Sequence, residues 1–300
     1  MVVLAEPAAR GPARFPGGPP GPTVGCMLTS PVNRPRTVAL RVVVALFLAV
    51  GLLGLNVVLL FPLIGWLPAA TLVQLGYPAE DTHHLVHGAG IGVGYSALLL
   101  CVAVQLRRPA QRVAPLWLGA FLLAGQILFD LVRWSIDDPI WFVPYGLYAA
   151  MVLLHPRRSA RITAVHRPAL LLAVAGAVPL AVYGVLQLRQ QFGPVDPTGH
   201  VDANHYYGMA AAAGVTIVAA LLGSTDLPGR LLTAWIAGVA AVLLGVSSIA
   251  HPGLVSAWPT GWAVAAVAWG GTYVALAHRS RTATGRRRAP AAAPTAGTAD

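Results

Sequence analysis

Between residues 40 and 278 the chain falls into eight apolar segments, at about 40–65, 84–106, 113–134, 140–155, 168–188, 204–223, 230–250 and 258–278. A hydrocarbon core needs roughly 20 helical residues to be crossed. Within it a backbone satisfies its own polar groups only as helices or as a closed barrel. Barrel strands alternate in hydropathy over about ten residues, whereas these runs are unbroken. The chain therefore reads as an all-α polytopic membrane protein with eight transmembrane helices. The fourth segment is the shortest and holds Pro144, and Pro179 is expected to kink the fifth. Composition agrees: 56% of residues are hydrophobic and 10% charged, against roughly 25% charged in a soluble domain.

Charge sets the orientation. The net charge is +10 and every basic residue is arginine. Arg107, Arg108 and Arg112 lie between the second and third segments, and Arg157, Arg158, Arg161 and Arg167 between the fourth and fifth. Arg230 follows the sixth, and a basic tail follows the eighth, while the alternate loops hold only Arg133 and Arg189. Positively charged loops stay on the cytoplasmic side, so both termini are expected to be cytoplasmic. Trp66, Tyr77, Trp134, Trp141, Trp258 and Trp262 gather toward the other face as an interfacial belt. The absence of lysine and the abundance of Ala, Gly and Pro suggest a high-GC bacterial genome, hence a multi-pass protein of the bacterial cytoplasmic (inner) membrane. The expected partner of these arginines is the anionic face of the lipid bilayer. No aromatic-interleaved basic stripe argues for nucleic acid.

Residues 1–36 and 280–300 are rich in Pro, Gly, Ala and Arg and read as disordered cytoplasmic tails. Met27 is a plausible start. Between the tails, residues 37–156 and 157–279 read as two four-helix repeats. A shift of 121 places puts Asp81 on Asp202, His84 on His205 and Leu122-Leu123 on Leu243-Leu244, and lands Asp130 on His251. Such a 4+4 repeat relates two units of the same orientation by an axis along the membrane normal. Gly88, Gly90, Gly92 and Gly94, with Gly208, Ala210, Ala212 and Gly214, are small-xxx-small patterns that let helices approach closely. Cys26 and Cys101 form neither a metal motif nor an inferred disulfide.

Ionisable groups cluster on the outer side. His83, His84, His87, His200, His205 and His251 lie at or near segment ends, beside Glu80, Asp81, Asp130 and Asp202. Polar groups at membrane depth are costly and mark sites. His84, His87, Asp130, His205 and His251 are the candidate metal ligands, because imidazole and carboxylate suit zinc, copper, nickel or iron. A haem would need two imidazoles at similar depth, such as His84 or His87 with His205. A bland reading stands beside this one: histidines at helix ends meet water and headgroups, Asp130 pairs with Arg133, and Asp81 and Asp202 cap helices. In that view His83 and His200 are bystanders, and His155, His166 and His278 are solvated on the cytoplasmic side. Asn56 and Gln126 are read as interhelical hydrogen bonders. Ser247, Ser248 and His251 are adjacent, but no nucleophile elbow, Walker motif, dinucleotide fingerprint or HExxH is present.

Eight helices in two halves, with outer-face histidines His84 and His205, is similar to the layout of haem A synthases. The resemblance covers only the architecture and these two residues. The fourth segment has Pro144 and Tyr145 where that family places histidine, and the eighth has only His278 at its inner end. The first outer loop lacks the family's cysteine signature, and the resemblance stops short of membership. The functional expectation is an integral membrane protein with a His/Asp cluster that binds a metal ion or haem, or relays protons. The alternatives are a small-solute transporter or permease, or a non-catalytic membrane subunit.

Overall fold

The computed structural model describes residues 34–54, 69–74, 84–133, 142–194 and 199–287. Among them the chain is all-helical, with one isolated antiparallel bridge, Val165 to Thr225, and no strand. The helices are α1 (Arg34–Gly54), α2 (Ala69–Gln74), α3 (Leu85–Ala103), α4 (Val113–Arg133), α5 (Phe142–Leu154), α6 (Arg167–Gln191), α7 (His205–Gly223), α8 (Arg230–Ala250) and α9 (Thr260–Arg287). Five are long and apolar enough to cross a membrane: α3 with its 3₁₀ extension to Leu106, α4, α6, α7 and α8. Asn56, Trp66, Tyr77, Glu80, Asp81, His83, Trp134 and Trp141 lie outside the described residues.

Helix ends follow local chemistry. Pro35 and Pro168 occupy first turns, where a missing N–H costs nothing. The His166 side chain caps α6 by accepting from the Ala169 amide at 3.3 Å, and Arg189 in the last turn faces the negative end of the dipole. α6 continues past Pro179 to Gln191. α9 runs to Arg287, into the stretch expected to be a disordered tail, because no proline interrupts it before Pro290.

Exposed faces are apolar. Leu171, Val174, Val178, Val182 and Val185 form one exposed stripe on α6, and Val38, Val42, Leu46 and Val50 form another on α1. Steps of three and four residues put each set on one helix face. Stripes of this size suit lipid rather than water. One cluster of the interior is built largely from small residues. Ala97, Ala169, Ala173, Ala219, Ala220, Ala234, Ala237 and Ala277 share one cluster with Tyr273, whose hydroxyl donates to the Ala220 carbonyl. Lipid is as apolar as leucine, so such contacts act through close packing and hydrogen bonds rather than through hydrophobic burial. Glycines allow several close approaches. A Cβ on Gly90 of α3 would run into Met209, and one on Gly208 of α7 into Ile91. A Cβ on Gly238 of α8 would lie 2.7 Å from the Gly270 carbonyl oxygen of α9.

The antiparallel order gathers the arginine-rich loops at one end of the helices and His84, His87, His200, His205 and His251 at the other. At the arginine end, the loop after α5 is tied to the loop after α7. Asp226 accepts from the Thr163 amide at 3.1 Å and from its hydroxyl, its own amide donates to Ala164, and the His166 amide donates to Ser224 at 2.7 Å. Burial pushes the Asp226 carboxyl up, but the Thr163 hydrogen bonds outweigh it and hold the group below its ordinary value. His155, expected to be solvated, is buried. Its Nδ1 accepts from the Arg157 amide at 3.2 Å, so Nε2 donates to the Pro109 carbonyl at 2.9 Å. Burial lowers its pKa, with Pro109 opposing. His166 caps a helix, and His278 accepts from the Trp235 indole at 2.9 Å, so neither is simply a solvated bystander.

Candidate functional site

Two elements bring four histidines together at the end of the helices away from the arginine-rich loops. His84 is the N-cap of α3 and His87 follows in its first turn. His205 opens α7, and His200 lies in the turn before it. That turn is closed by Ala203 N–H to Gly199 O at 3.0 Å and His205 N–H to His200 O at 3.0 Å. Gly199 and Asn204 adopt left-handed backbone there, with φ of 78° and 57°, which glycine and asparagine tolerate best. Buried Gln191 pins the turn from α6, donating to Val201 O at 2.7 Å and accepting from the Tyr207 amide at 3.0 Å. Arg133 donates to the same carbonyl at 3.1 Å and to the Asn204 side chain.

Ring centroids of His84 lie 4.8 Å from His200 and 4.6 Å from His205, and those of His87 lie 4.7 Å and 5.3 Å from the same two rings. Each of the four side chains has one ligand nitrogen within 4.8 Å of the other three. His87 and His200 are fully buried, at 0% and 1% exposure, and His84 and His205 half-buried. The Tyr206 ring packs on His87 and His200 at 5.5 and 5.6 Å. Among the described residues no carboxylate or thiolate joins the group, so imidazole nitrogens are the donor atoms it offers.

The outer partners assign one tautomer. Ser256 Oγ donates its only proton to Gln187 Oε1 at 2.7 Å. At 2.9 Å from His87 Nε2 it must therefore accept, so Nε2 carries the proton and Nδ1 keeps its lone pair. His87 Nδ1 is shielded from solvent. An imidazole that donates through one nitrogen and ligates through the other is the usual arrangement around a metal. Ser256 itself sits at φ 67°, held by the Tyr183 hydroxyl, which donates to its carbonyl at 2.8 Å. Left-handed backbone is costly for a non-glycine residue and collects at functional sites.

Of the residues singled out from sequence, His84, His87 and His205 meet, and His200 joins them although it reads as a bystander in the sequence. Asp130 and His251 stand outside the group. Asp130 accepts from Gln126 at 2.8 Å and from the Tyr145 hydroxyl at 2.7 Å. Its expected partner Arg133 turns instead to the His200–Asn204 turn, and Gln126 bonds within its own helix rather than between helices. His251 ends α8, with its amide on Ser247 O at 3.0 Å. Ser248 donates to Leu244 O and accepts from the Trp258 amide, so its hydroxyl is committed to structure rather than to nucleophilic attack. Asp202 is exposed, and Asn204 rather than Asp202 takes the N-cap position of α7.

Ser256, Gln187 and Tyr183 are invisible to motif reasoning, since they reach the cluster only through tertiary packing. His200 had a local signal: Gly199 and Asn204 bracket a turn at a helix start, where position 200 folds back over 205.

No protein-family model, no curated protein and no solved structure matches this chain.

Proposed function

We propose that the chain is a multi-pass membrane protein that holds one transition-metal ion among His84, His87, His200 and His205. The observation that carries this reading is four imidazoles from two distant parts of the chain, each with a ligand nitrogen within 4.8 Å of the other three. A tetrahedral ion with bonds of about 2.0–2.1 Å needs nitrogens roughly 3.3 Å apart, an inward swing of about an ångström. Imidazole suits zinc, copper, iron and nickel, and four nitrogens that can close to tetrahedral spacing favour zinc, then copper. Four protein ligands close the coordination sphere, whereas hydrolytic sites leave a position to water. The role is therefore binding rather than catalysis. Haem fits poorly, because a porphyrin inserted between any two of these rings would collide with the other two. Asp130 and His251 are not ligands in this reading.

The finer architecture belongs to the same proposal: eight spans in two four-helix halves, termini in the cytoplasm of a bacterium, and the cluster near the outer face of its inner membrane. Helix pairing supports the repeat. α1 packs on α5 as α6 packs on α9, α3 on α4 as α7 on α8, and α3 meets α8 as α4 meets α7. α3 and α7, which start with the matched His84 and His205, pack on each other. The arginines at the opposite end support the orientation.

Full-length protein purified in mild detergent should carry about one zinc or copper ion per chain and no Soret band. His200→Ala should lose the ion and His251→Ala should keep it. Protein that takes up no zinc or copper refutes the metal reading, and a Soret band restores haem. Reporter fusions at residues 75 and 160 should report opposite sides of the membrane.

A further inference from the structure

We infer that the cavity beside the histidine cluster binds a small water-soluble carboxylate, and that this anion and the metal ion strengthen each other's binding. The cavity is an open one of about 730 Å³, a volume within the roughly 300–1,000 Å³ of small-molecule sites. Arg189 is the one charged residue in its wall among the described residues, and no acid lines it there. A guanidinium fork matches a carboxylate and repels a free cation. Gln190, Tyr206 and Gln187 add polar atoms. Gln187 is only 4% exposed, and its carboxamide oxygen is committed to Ser256. Its NH₂ makes no protein hydrogen bond among the described residues, which leaves it as a donor for a ligand in the cavity. The Ser256 and Tyr183 hydroxyls are already spent on Gln187 and on Ser256 O.

The same wall is one hydrogen bond from the cluster, through His87 Nε2 and Ser256 Oγ at 2.9 Å. The cooperative half of the inference rests on the metal reading. Four neutral imidazoles leave the charge of a divalent ion uncompensated, and a carboxylate in the adjoining cavity offsets it. A carboxylate accepting from the Gln187 NH₂ also polarises the amide oxygen, and through Ser256 makes His87 Nδ1 a better donor to the metal. Coupling between two sites is reciprocal, so each ligand must tighten the other by the same factor.

The test is calorimetric titration of malonate into full-length protein in phosphatidylcholine nanodiscs, metal-free and zinc-loaded. Malonate should bind saturably to the metal-free protein. Arg189→Gln, at an exposed position, should weaken binding about tenfold or more, with Arg189→Lys intermediate. Zinc loading should tighten malonate several-fold, and choline chloride should not bind. Absent or non-saturable malonate binding overturns the inference, as does binding indifferent to Arg189→Gln. Malonate binding that disappears in phosphatidylglycerol nanodiscs assigns the cavity to a lipid headgroup and overturns the solute. If zinc loads, as read by elemental analysis, yet leaves malonate affinity unchanged, the cooperativity is refuted. A protein that takes up no zinc loses the cooperativity together with the metal reading, while the metal-free titration still decides the ligand of the cavity.

Discussion

Ser256→Gly separates the two things that Ser256 does. Its backbone sits at φ 67°, where an L side chain costs roughly 1–2 kcal/mol and glycine costs almost nothing. Its hydroxyl links His87 to Gln187 at 2.9 and 2.7 Å. Glycine keeps the turn and deletes the link. The buried His87 Nε2–H and Gln187 Oε1 left without Ser256 cost about 1–3 kcal/mol each, which the relief of backbone strain offsets in part, so the metal-free protein should melt only modestly lower. Metal affinity should fall, because loss of an outer-shell partner typically costs 10–100-fold, or about 1.4–2.7 kcal/mol. Competition for zinc against a chromophoric chelator, with a melting curve on the same preparation, reads both quantities. Gln187→Leu should give a smaller fall, since the Ser256 hydroxyl still accepts from His87. Unchanged zinc affinity in Ser256→Gly would show that the relay does not tune the site. A fall in affinity matched by a collapse in stability would show that Ser256 acts only through the fold.

Two further outcomes test the packing and the loop clamp. Gly238→Ala places a Cβ 2.7 Å from the Gly270 carbonyl, so α8 and α9 must separate at a cost of about 1–3 kcal/mol; Gly94→Ala, where a Cβ meets nothing within 4 Å, should be neutral or stabilising by about 0.5–1 kcal/mol, and equal melting shifts would refute the contact. Asp226→Asn should destabilise by about 1 kcal/mol at neutral pH, the charged acceptor being largely exposed and solvent-screened. Because the folded carboxyl titrates below its ordinary 3.8, its contribution is present above that value and is lost as pH falls through the lower folded one. The wild-type advantage should therefore shrink below about pH 4, and an advantage that persists to pH 2 would contradict the clamp.

Helix positions were readable from the sequence because hydropathy sets them: the segment read as 230–250 is α8 to the residue, and 113–134 differs from α4 by one. Ends without a hydropathy signal were less legible. Residues 280–287 are polar and look like tail, yet Ala, Thr and Arg carry a helix onward until proline forbids it. At the site, His84, His87 and His205 were legible as polar breaks at helix ends. Asp130 and His251 carry the same signal and sit elsewhere, because end position fixes depth in a membrane but not the direction in which a side chain faces. His200 was misjudged for the complementary reason: five residues before His205 would put it on another face of a helix, and only the tight turn at Gly199 reverses it.

The cluster draws on two stretches of chain distant in sequence, α3 on one side and the entrance to α7 on the other. An ion seated there works as a rivet. Sliding of α3 against α7 would stretch two imidazoles away from the remaining two, so the coordination bonds would set a mechanical threshold for any such movement. Withdrawing the ion would leave the packing of α3 on α7, including the Gly90–Met209 and Gly208–Ile91 contacts, to resist sliding. Those contacts are smooth and apolar. The helix pair would change from a joint that is locked to one that turns, and the metal supply would decide which.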